Sequence, residues 1–375
     1  MNRLIITKYM NRFLTLLISA FLLVSCNKPK ETNITFHDTI DYHSVSKSTI
    51  NELVDSISFL PLEIKEESTV GNIDKICIVD SLIYIGDFHT NQIYIFDLSG
   101  KHLFNINYIG QGPKEYTEIK SFAVDTHNIY IIDNKLRKLF VYNRLNGSFV
   151  ESLKMPFVAW DIETLNDGDF IFTFIPMNGG KLSIKQPPYK LFITDSHLNI
   201  KKMMLKYNNN ESDALGQRIY FTKGGNNLYF GSYHFNGYTI IDTDTLSALK
   251  HININFDKGL AEQDNVHLHE IDEYQYIIEP PFVCEQYVYL VFCEKGRSKY
   301  GIYNTVTREI SFNSKTDAYN SLMPIIGSGE TYFIGHLADY DIYQKMVNLG
   351  FNKGSELMEE TLKKQGDVLV FYHFK

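Results

Sequence analysis

Two stretches of the chain, Lys75–Asp97 (KICIVDSLIYIGDFHTNQIYIFD) and Ser121–Asn143 (SFAVDTHNIYIIDNKLRKLFVYN), align at a constant offset of 46 residues. Ile76 falls on Phe122 and Ile78 on Val124. Ile83-Tyr84-Ile85-Gly86-Asp87 falls on Ile129-Tyr130-Ile131-Ile132-Asp133, and Ile93-Tyr94-Ile95-Phe96-Asp97 on Leu139-Phe140-Val141-Tyr142-Asn143. Gly100 and Gly147 then turn the chain into a fourth apolar segment, Leu103–Ile106 and Phe149–Leu153. Each unit reads as four short strands joined by tight turns containing Asp, Asn or Gly.

Weaker copies follow. Phe170–Phe174 and Leu191–Asp195 flank the insert Pro176–Pro188. Leu228–Gly231 and Tyr238–Asp242 continue through Leu249–Phe256. Val288–Phe292 and Tyr300–Asn304 end in Glu309–Phe312, and the last unit holds Thr331–Gly335 and Val368–Phe374. Roughly 320 residues at about 45–55 per unit make six units, the spacing of propeller blades. A twisted four-stranded sheet has two apolar faces and buries both only by stacking radially in a closed ring. The reading is therefore an all-β, six-bladed β-propeller of four-stranded antiparallel blades. Ile57-Ser58-Phe59-Leu60-Pro61-Leu62 is the strand expected to close the ring beside 368–374, with Pro61 suited to an edge.

Composition agrees. The chain has 375 residues, 44% hydrophobic and 21% charged, with 25 Tyr and 26 Phe against one Trp. Aromatic and β-branched residues suit pleated, half-buried surfaces. With 36 basic and 44 acidic residues the net charge is −8, so no general attraction to a phosphate backbone exists and nucleic acid is not an expected partner. One helical piece interrupts the last unit. Ser355 caps a helix with Glu356 in its first turn, Leu357, Met358, Thr361 and Leu362 on one face, and Glu359–Lys363 and Glu360–Lys364 as i,i+4 pairs. Tyr340–Leu349 is a second helix ended by Gly350, and both read as an insertion covering one side of the last blade.

The amino terminus reads as an address. Arg3, Lys8 and Arg12 precede the apolar run Phe13–Val24, which is short for a membrane span. It ends in Leu23-Val24-Ser25-Cys26, a lipobox-like junction, so 1–25 is expected to be a lipoprotein signal peptide and Cys26 the lipidated residue; Met10 is an alternative start. Cleavage leaves 33 basic against 44 acidic residues, a net charge of −11. Asn27, where an Asp would signal inner-membrane retention, favours the outer membrane. The stretch 26–50, Thr32–Thr49 in particular, reads as a polar tether, with the propeller spanning 51–375. Cys77, Cys284 and Cys293 remain, so one disulfide at most can form; Cys77 reads as a small buried hydrophobe, and a Cys284–Cys293 bridge is open.

The residues also resemble a known family, the six-bladed β-propeller lipoproteins of Bacteroidetes, relatives of the NHL-repeat propellers. The segment Leu53-Val54-Asp55-Ser56-Ile57-Ser58-Phe59-Leu60-Pro61-Leu62-Glu63 is similar to that family's start. Ile109-Gly110-Gln111-Gly112-Pro113-Lys114-Glu115-Tyr116 matches its G-x-G-P-x-E-Y loop, and Val368-Leu369-Val370-Phe371-Tyr372 with Lys375 resembles its ending. The resemblance runs from Asn51 to Lys375 and implies secretion, lipid anchoring and the propeller fold; the family's molecular function is generally unassigned.

Propellers bind at a mouth of the central channel. Gln111, Lys114, Glu115 and Tyr116, in the connection between the first two blades, are the candidate binding residues, against a purely conformational role for Gly110, Gly112 and Pro113. Trp160, where blade three begins, is either a platform for a sugar ring or buried between blades. Asp87 and Asp133, repeated at equivalent positions, read as turn residues. His267-Leu268-His269 with Glu270 would present both imidazoles together in a strand, yet lacks a second ligand pair and reads as a solvated loop; Glu66-Glu67 reads as a charged turn. No nucleophile elbow, P-loop or dinucleotide fingerprint occurs, and no catalytic residue, metal site or cofactor is assigned. Some six-bladed propellers are calcium-dependent lactonases or lyases, so calcium stays an unsupported option. The leading expectation is a lipid-anchored module binding a glycan, peptide or envelope protein; the alternatives are a metal-dependent lyase or hydrolase at the same mouth and a structural subunit of an envelope complex.

Overall fold

A computed structural model describes residues 29–375 apart from 33, 35, 177–185, 207–216, 233–235, 247–248, 261–267, 314–323 and 349. The segment read as signal peptide and lipidated Cys26 lies outside the described residues. In blade one, β4 (Lys75–Val79), β5 (Leu82–Asp87), β6 (Gln92–Asp97) and β7 (His102–Ile106) form an antiparallel meander. Blade two repeats it with β8 (Ser121–Val124), β9 (Asn128–Asp133), β10 (Lys138–Asn143) and β11 (Phe149–Lys154). Blade three holds β12 (Asp161–Thr164), β13 (Phe170–Thr173), β14 (Tyr189–Thr194) and β15 (Ile200–Lys206); blade four holds β16 (Phe221–Gly224), β17 (Asn227–Gly231), β18 (Gly237–Asp242) and β19 (Leu249–Asn255). The chain is an all-β, six-bladed propeller.

In blade five the innermost strand is broken. Both β20 (Tyr276–Ile277) and β21 (Phe282–Cys284) pair with β22 (Tyr287–Glu294), which continues to β23 (Arg297–Asn304) and β24 (Glu309–Phe312). Between the two halves lies Ile278-Glu279-Pro280-Pro281, where two prolines remove the donors a ladder needs. Blade six combines both chain ends: β25 (Ile325–Ser328), β26 (Phe333–Leu337) and β27 (Val368–Phe374) come from the carboxy terminus, and β3 (Val54–Pro61) pairs antiparallel with β27 from Val368↔Pro61 to Phe374↔Val54. Gly100 completes the joint to blade one. Its φ of +82° suits glycine, and a Cβ there would stand 2.1 Å from the Pro61 carbonyl oxygen.

Period-two alternation explains the packing. Successive residues of one strand enter opposite wedges: Ile83 and Ile85 pack with Leu62, Ile334 and Leu369 of blade six and its exit, while Tyr84 packs with Phe122, Phe140 and Tyr142 of blade two. Similar apolar wedges fill each later gap, with Phe170 and Phe172 facing blade two, Ile171 and Ile193 facing blade four, and Val368, Val370 and Tyr372 facing blade five. Burying each such side chain contributes about 1.5–3 kcal/mol.

The stretch read as a polar tether is not one. β1 (Lys30–Thr32) lies parallel to β15 as a fifth strand of blade three, and β2 (Phe36–Asp41) lies parallel to β19 as a fifth strand of blade four. Val45 then bridges Ile310 of blade five, and α1 (Ile50–Leu53), which buries Ile50, leads into β3. The segment is a belt along the outer edges of blades three to five. Ile40, Tyr42 and Ile50 are buried, but such sparse apolar residues among polar neighbours do not announce a strand. The edges of β15, β19 and β24 would otherwise present unpaired backbone groups.

The helical insertion sits between β26 and β27. Ser355 Oγ accepts from Met358 N at 3.2 Å, and α3 (Glu356–Lys363) buries Met358, Thr361 and Leu362 while Leu357 stays exposed. Rather than pairing within α3, Glu359 accepts from the Tyr343 hydroxyl of α2 (Tyr340–Asn348) at 3.1 Å, and Lys363 covers the Tyr340 ring. Cys77, Cys284 and Cys293 are free, and Cys284 and Cys293 pack in separate apolar clusters.

Charged side chains tie the inner strands across the channel. The buried Lys75 ammonium lies 3.0 Å from Asp161 Oδ1 and 2.8 Å from Glu163 Oε1, and donates to the Ile162 carbonyl at 3.2 Å. Ser121 Oγ donates to Asp161 Oδ1, and Asp161 Oδ2 accepts from the backbone N–H of Tyr220 at 2.7 Å and of Phe221 at 3.0 Å. Lys223 reaches the other oxygen of Glu163 at 2.9 Å. One cluster thus links blades one to four. Burial acts to raise the Glu163 pKa, but Lys223 and Lys75 together hold it below the ordinary carboxyl range. Beyond it Cys77 walls an interior cavity of about 120 Å³, and burial pushes its thiol up to about 12.

Two outcomes test this architecture. Lys75→Met leaves Asp161 and Glu163 buried with less counter-charge and should lower the stability measured by urea unfolding by about 3–5 kcal/mol. Removing the chain up to residue 53 should leave a cooperative but less stable propeller, whereas removal up to residue 62 should abolish cooperative unfolding. Equal behaviour of the two truncations would contradict the roles assigned to belt and closing strand.

Candidate functional site

The segments entering the inner strands converge at one mouth of the channel. Asn72–Asp74 precedes β4, Lys120 precedes β8, Gln217–Tyr220 precedes β16, Ile278–Pro281 interrupts the inner strand of blade five, and Pro324 precedes β25. Together they wall two adjoining cavities of about 630 and 480 Å³, which share Asn72, Asp74, Gln217 and Arg218. Volumes of this order fit small ligands or a segment of a larger one.

Most polar groups on this surface already have partners. Asp87 is fully buried and accepts from the backbone N–H of Asn72, His89 and Thr90 at 2.9–3.2 Å. Asp133 does the same for Thr117 and Leu136 in blade two. Both carboxylates therefore organise turns. Asp74 accepts from Phe88 N at 2.8 Å and from Asn72 Nδ2 at 2.7 Å, and pairs with the largely exposed Arg218 at 3.1 Å. His336 is held by Asp367 at 2.7 Å.

Among the described residues, two groups in the smaller cavity are unmatched. Gln217 donates its Nε2 to the Ile278 carbonyl at 2.7 Å, but its buried Oε1 has no hydrogen-bond partner among the described residues. Glu279, carried by the break between β20 and β21, shows no hydrogen bond or ion pair among the described residues. Burial pushes its carboxyl above the ordinary range, and the charge of Arg218 offsets this only in part. The ring of Tyr300 stacks on Tyr289 at 6.1 Å and 13°. Burial raises the Tyr300 hydroxyl, and the charge of Glu279 raises it further. This cavity wall is aromatic, carries a carboxyl group and is rich in acceptors.

The binding residues expected from the sequence lie elsewhere. Tyr116 is fully buried in the wedge between blades one and two, its hydroxyl donating to the Asn91 and Ile106 carbonyls at 2.8 and 3.0 Å. Glu115 folds back to accept from Gly112 N at 2.8 Å, and a Cβ on Gly110 would stand 2.0 Å from its Oε2. Lys114 covers Phe149, its own carbonyl accepts from Tyr142, and Gln111 is exposed. None of the four walls the mouth cavities, and the loop's geometry is that of a conformational clasp. Trp160 borders the mouth half-buried: its indole N–H donates to the Ile175 carbonyl at 2.6 Å, its ring stacks on Phe174, and the Lys120 ammonium sits 4.9 Å above it. His267 lies outside the described residues, and Leu268–Glu273 is a 3-10 helix, so strand alternation does not apply to His269. Among the described residues no three His, Cys, Asp or Glu side chains are grouped to hold a metal.

Gln217, Arg218 and Glu279 were not singled out by sequence reading. Glu279-Pro280-Pro281 carried a signal, since two prolines inside a strand-forming stretch mark a break at an inner blade position.

Residues 32–369 match the family described as a domain of unknown function, DUF4934. The chain belongs to the DUF4934 family. Its fold is similar to that of a protein from Bacteroides fragilis described as exported, with 21% identity, 90% of this chain and 99% of that one covered, and a TM-score of 0.72. It is also similar to a member of the DUF4221 family from Bacteroides vulgatus, with 13% identity, 86% and 97% covered, and a TM-score of 0.52. At these identities the likeness concerns the fold alone. No curated protein matches this DUF4934 member.

Because burial raises the Glu279 pKa, the folded chain holds that proton more tightly than the unfolded one. Its contribution to stability is present below the ordinary glutamate pKa and lost as pH rises through the raised value. Glu279→Gln should therefore unfold at a higher temperature than the wild type at pH 7, with the difference closing towards about pH 4. A melting temperature lowered at both values would contradict an unpaired carboxyl.

Proposed function

We propose that this protein is an exported, lipid-anchored, NHL-like propeller that binds a glycan, peptide or envelope partner at the channel mouth formed by Asp74, Gln217, Arg218, Glu279 and Tyr300. The observation carrying this reading is the pair of unmatched groups in a mouth cavity, Gln217 Oε1 and Glu279. An unpartnered buried polar group is destabilising by about 1–3 kcal/mol, and such groups recur where binding is served at the expense of stability. Export is supported by the charged and apolar start of the chain, by the Leu23–Cys26 junction, and by the description of the Bacteroides fragilis relative as exported. Cys26 is the proposed anchor and the outer membrane the proposed location.

The test is isothermal titration of the protein with solubilised glycan and cell-envelope fractions. Binding heat that disappears in the double variant Arg218→Ala, Tyr300→Ala is expected; heat unchanged in that variant would remove the mouth from the proposal. In cell fractionation, Cys26→Ser should move the protein from the membrane pellet to the soluble fraction.

A further inference from the structure

The unmatched groups at the mouth have a chemical sign. A glutamine Oε1 can only accept a hydrogen bond, and an ionised carboxylate likewise only accepts. The cation nearest in role, Arg218, is already paired with Asp74 and largely exposed. What Gln217 Oε1 and Glu279 lack among the described residues is a donor, and a donor with a positive charge would also neutralise Glu279 where burial makes its ionised form costly. A sugar hydroxyl would satisfy Gln217 but leave Glu279 without a counter-ion. The stacked Tyr289 and Tyr300 rings add faces that attract cations rather than anions. A cavity of about 480 Å³ admits a long side chain together with some flanking backbone.

Resting on the reading of the mouth as a binding site, we infer that the group it recognises is cationic, a primary ammonium or guanidinium carried by a peptide, with Glu279 as counter-ion, Gln217 Oε1 as second acceptor and Tyr300 as a flanking wall. Arg218 and Asp74 bound the site as an internal pair. Ligand binding replaces the missing donor and removes the penalty of an isolated carboxylate.

The experiment is isothermal titration of the full exported chain with three probes: a trilysine peptide blocked at both ends, the same peptide with its side-chain amines acetylated, and a neutral trisaccharide. Salt is kept at about 150 mM so that general attraction to an acidic protein is screened. The trilysine peptide should bind, and acetylation should weaken it at least about tenfold, the effect of losing one charge-assisted hydrogen bond. Glu279→Gln, a near-isosteric change whose folding is checked by its melting curve, should weaken the peptide by a similar factor. Trilysine binding that Glu279→Gln leaves unchanged would overturn the inference, as would failure of the trilysine peptide to bind. Acetylated peptide or trisaccharide binding as tightly as trilysine, with sensitivity to Arg218→Ala, Tyr300→Ala, would overturn the cationic class while leaving the mouth as a binding site. Envelope-fraction binding heat that the Arg218→Ala, Tyr300→Ala variant retains in full would instead remove the mouth itself.

Discussion

Ring closure is the constraint on which every other feature depends. A blade with two apolar faces is stable only with a neighbour on each side, and a linear stack leaves two faces in water. Here the problem is met by building blade six from both chain ends, with β3 hydrogen-bonded along β27 and Gly100 letting the first blade approach the end of β3. Backbone pairing between residues 54–61 and 368–374 makes opening of the ring require loss of a whole ladder. It also fixes the circumference, and so brings the segments entering the inner strands to a common mouth.

The belt extends the same principle outward. Outer strands carry one unpaired row of backbone groups, and the segment 30–45 covers those rows on blades three, four and, at a single bridge, five. Arg308 binds Asp38 at 3.0 Å and Lys299 reaches the Tyr42 hydroxyl, so the belt is fastened by side chains as well as by pairing. The polar stretch from residue 30 to 45 therefore belongs to the propeller's outer edge and does not serve as a linker.

At the centre and at the mouth, charges play opposite parts. Lys75, Asp161, Glu163 and Lys223 neutralise one another in the channel and join four blades. Gln217 Oε1 and Glu279, at the mouth, are left incomplete among the described residues. The contrast is between a polar cluster satisfied within the fold and one left unsatisfied among the described residues, and it is this contrast that carries the proposal of a binding mouth.

The strands, their turns and the number of blades were legible because their signals are local: alternation with period two, Asp or Gly at fixed offsets, and a 46-residue repeat from Lys75 to Asn143. Ser355 likewise marked its helix, and Ile57–Leu62 read as a closing strand. The belt was illegible because Ile40, Tyr42 and Ile50 are too sparse to make a pattern and the edges they pair with lie hundreds of residues away. Gly110–Tyr116 looked like a ligand loop because its residues are chemically capable, yet Tyr116 and Glu115 spend their hydrogen bonds on the loop and the blade wedge. The availability of Glu279 is not written in its own neighbourhood beyond the Pro280-Pro281 break. A residue's strand or turn preference is set by its near neighbours, whereas whether its charge finds a counter-charge depends on which distant strands the closed ring sets beside it.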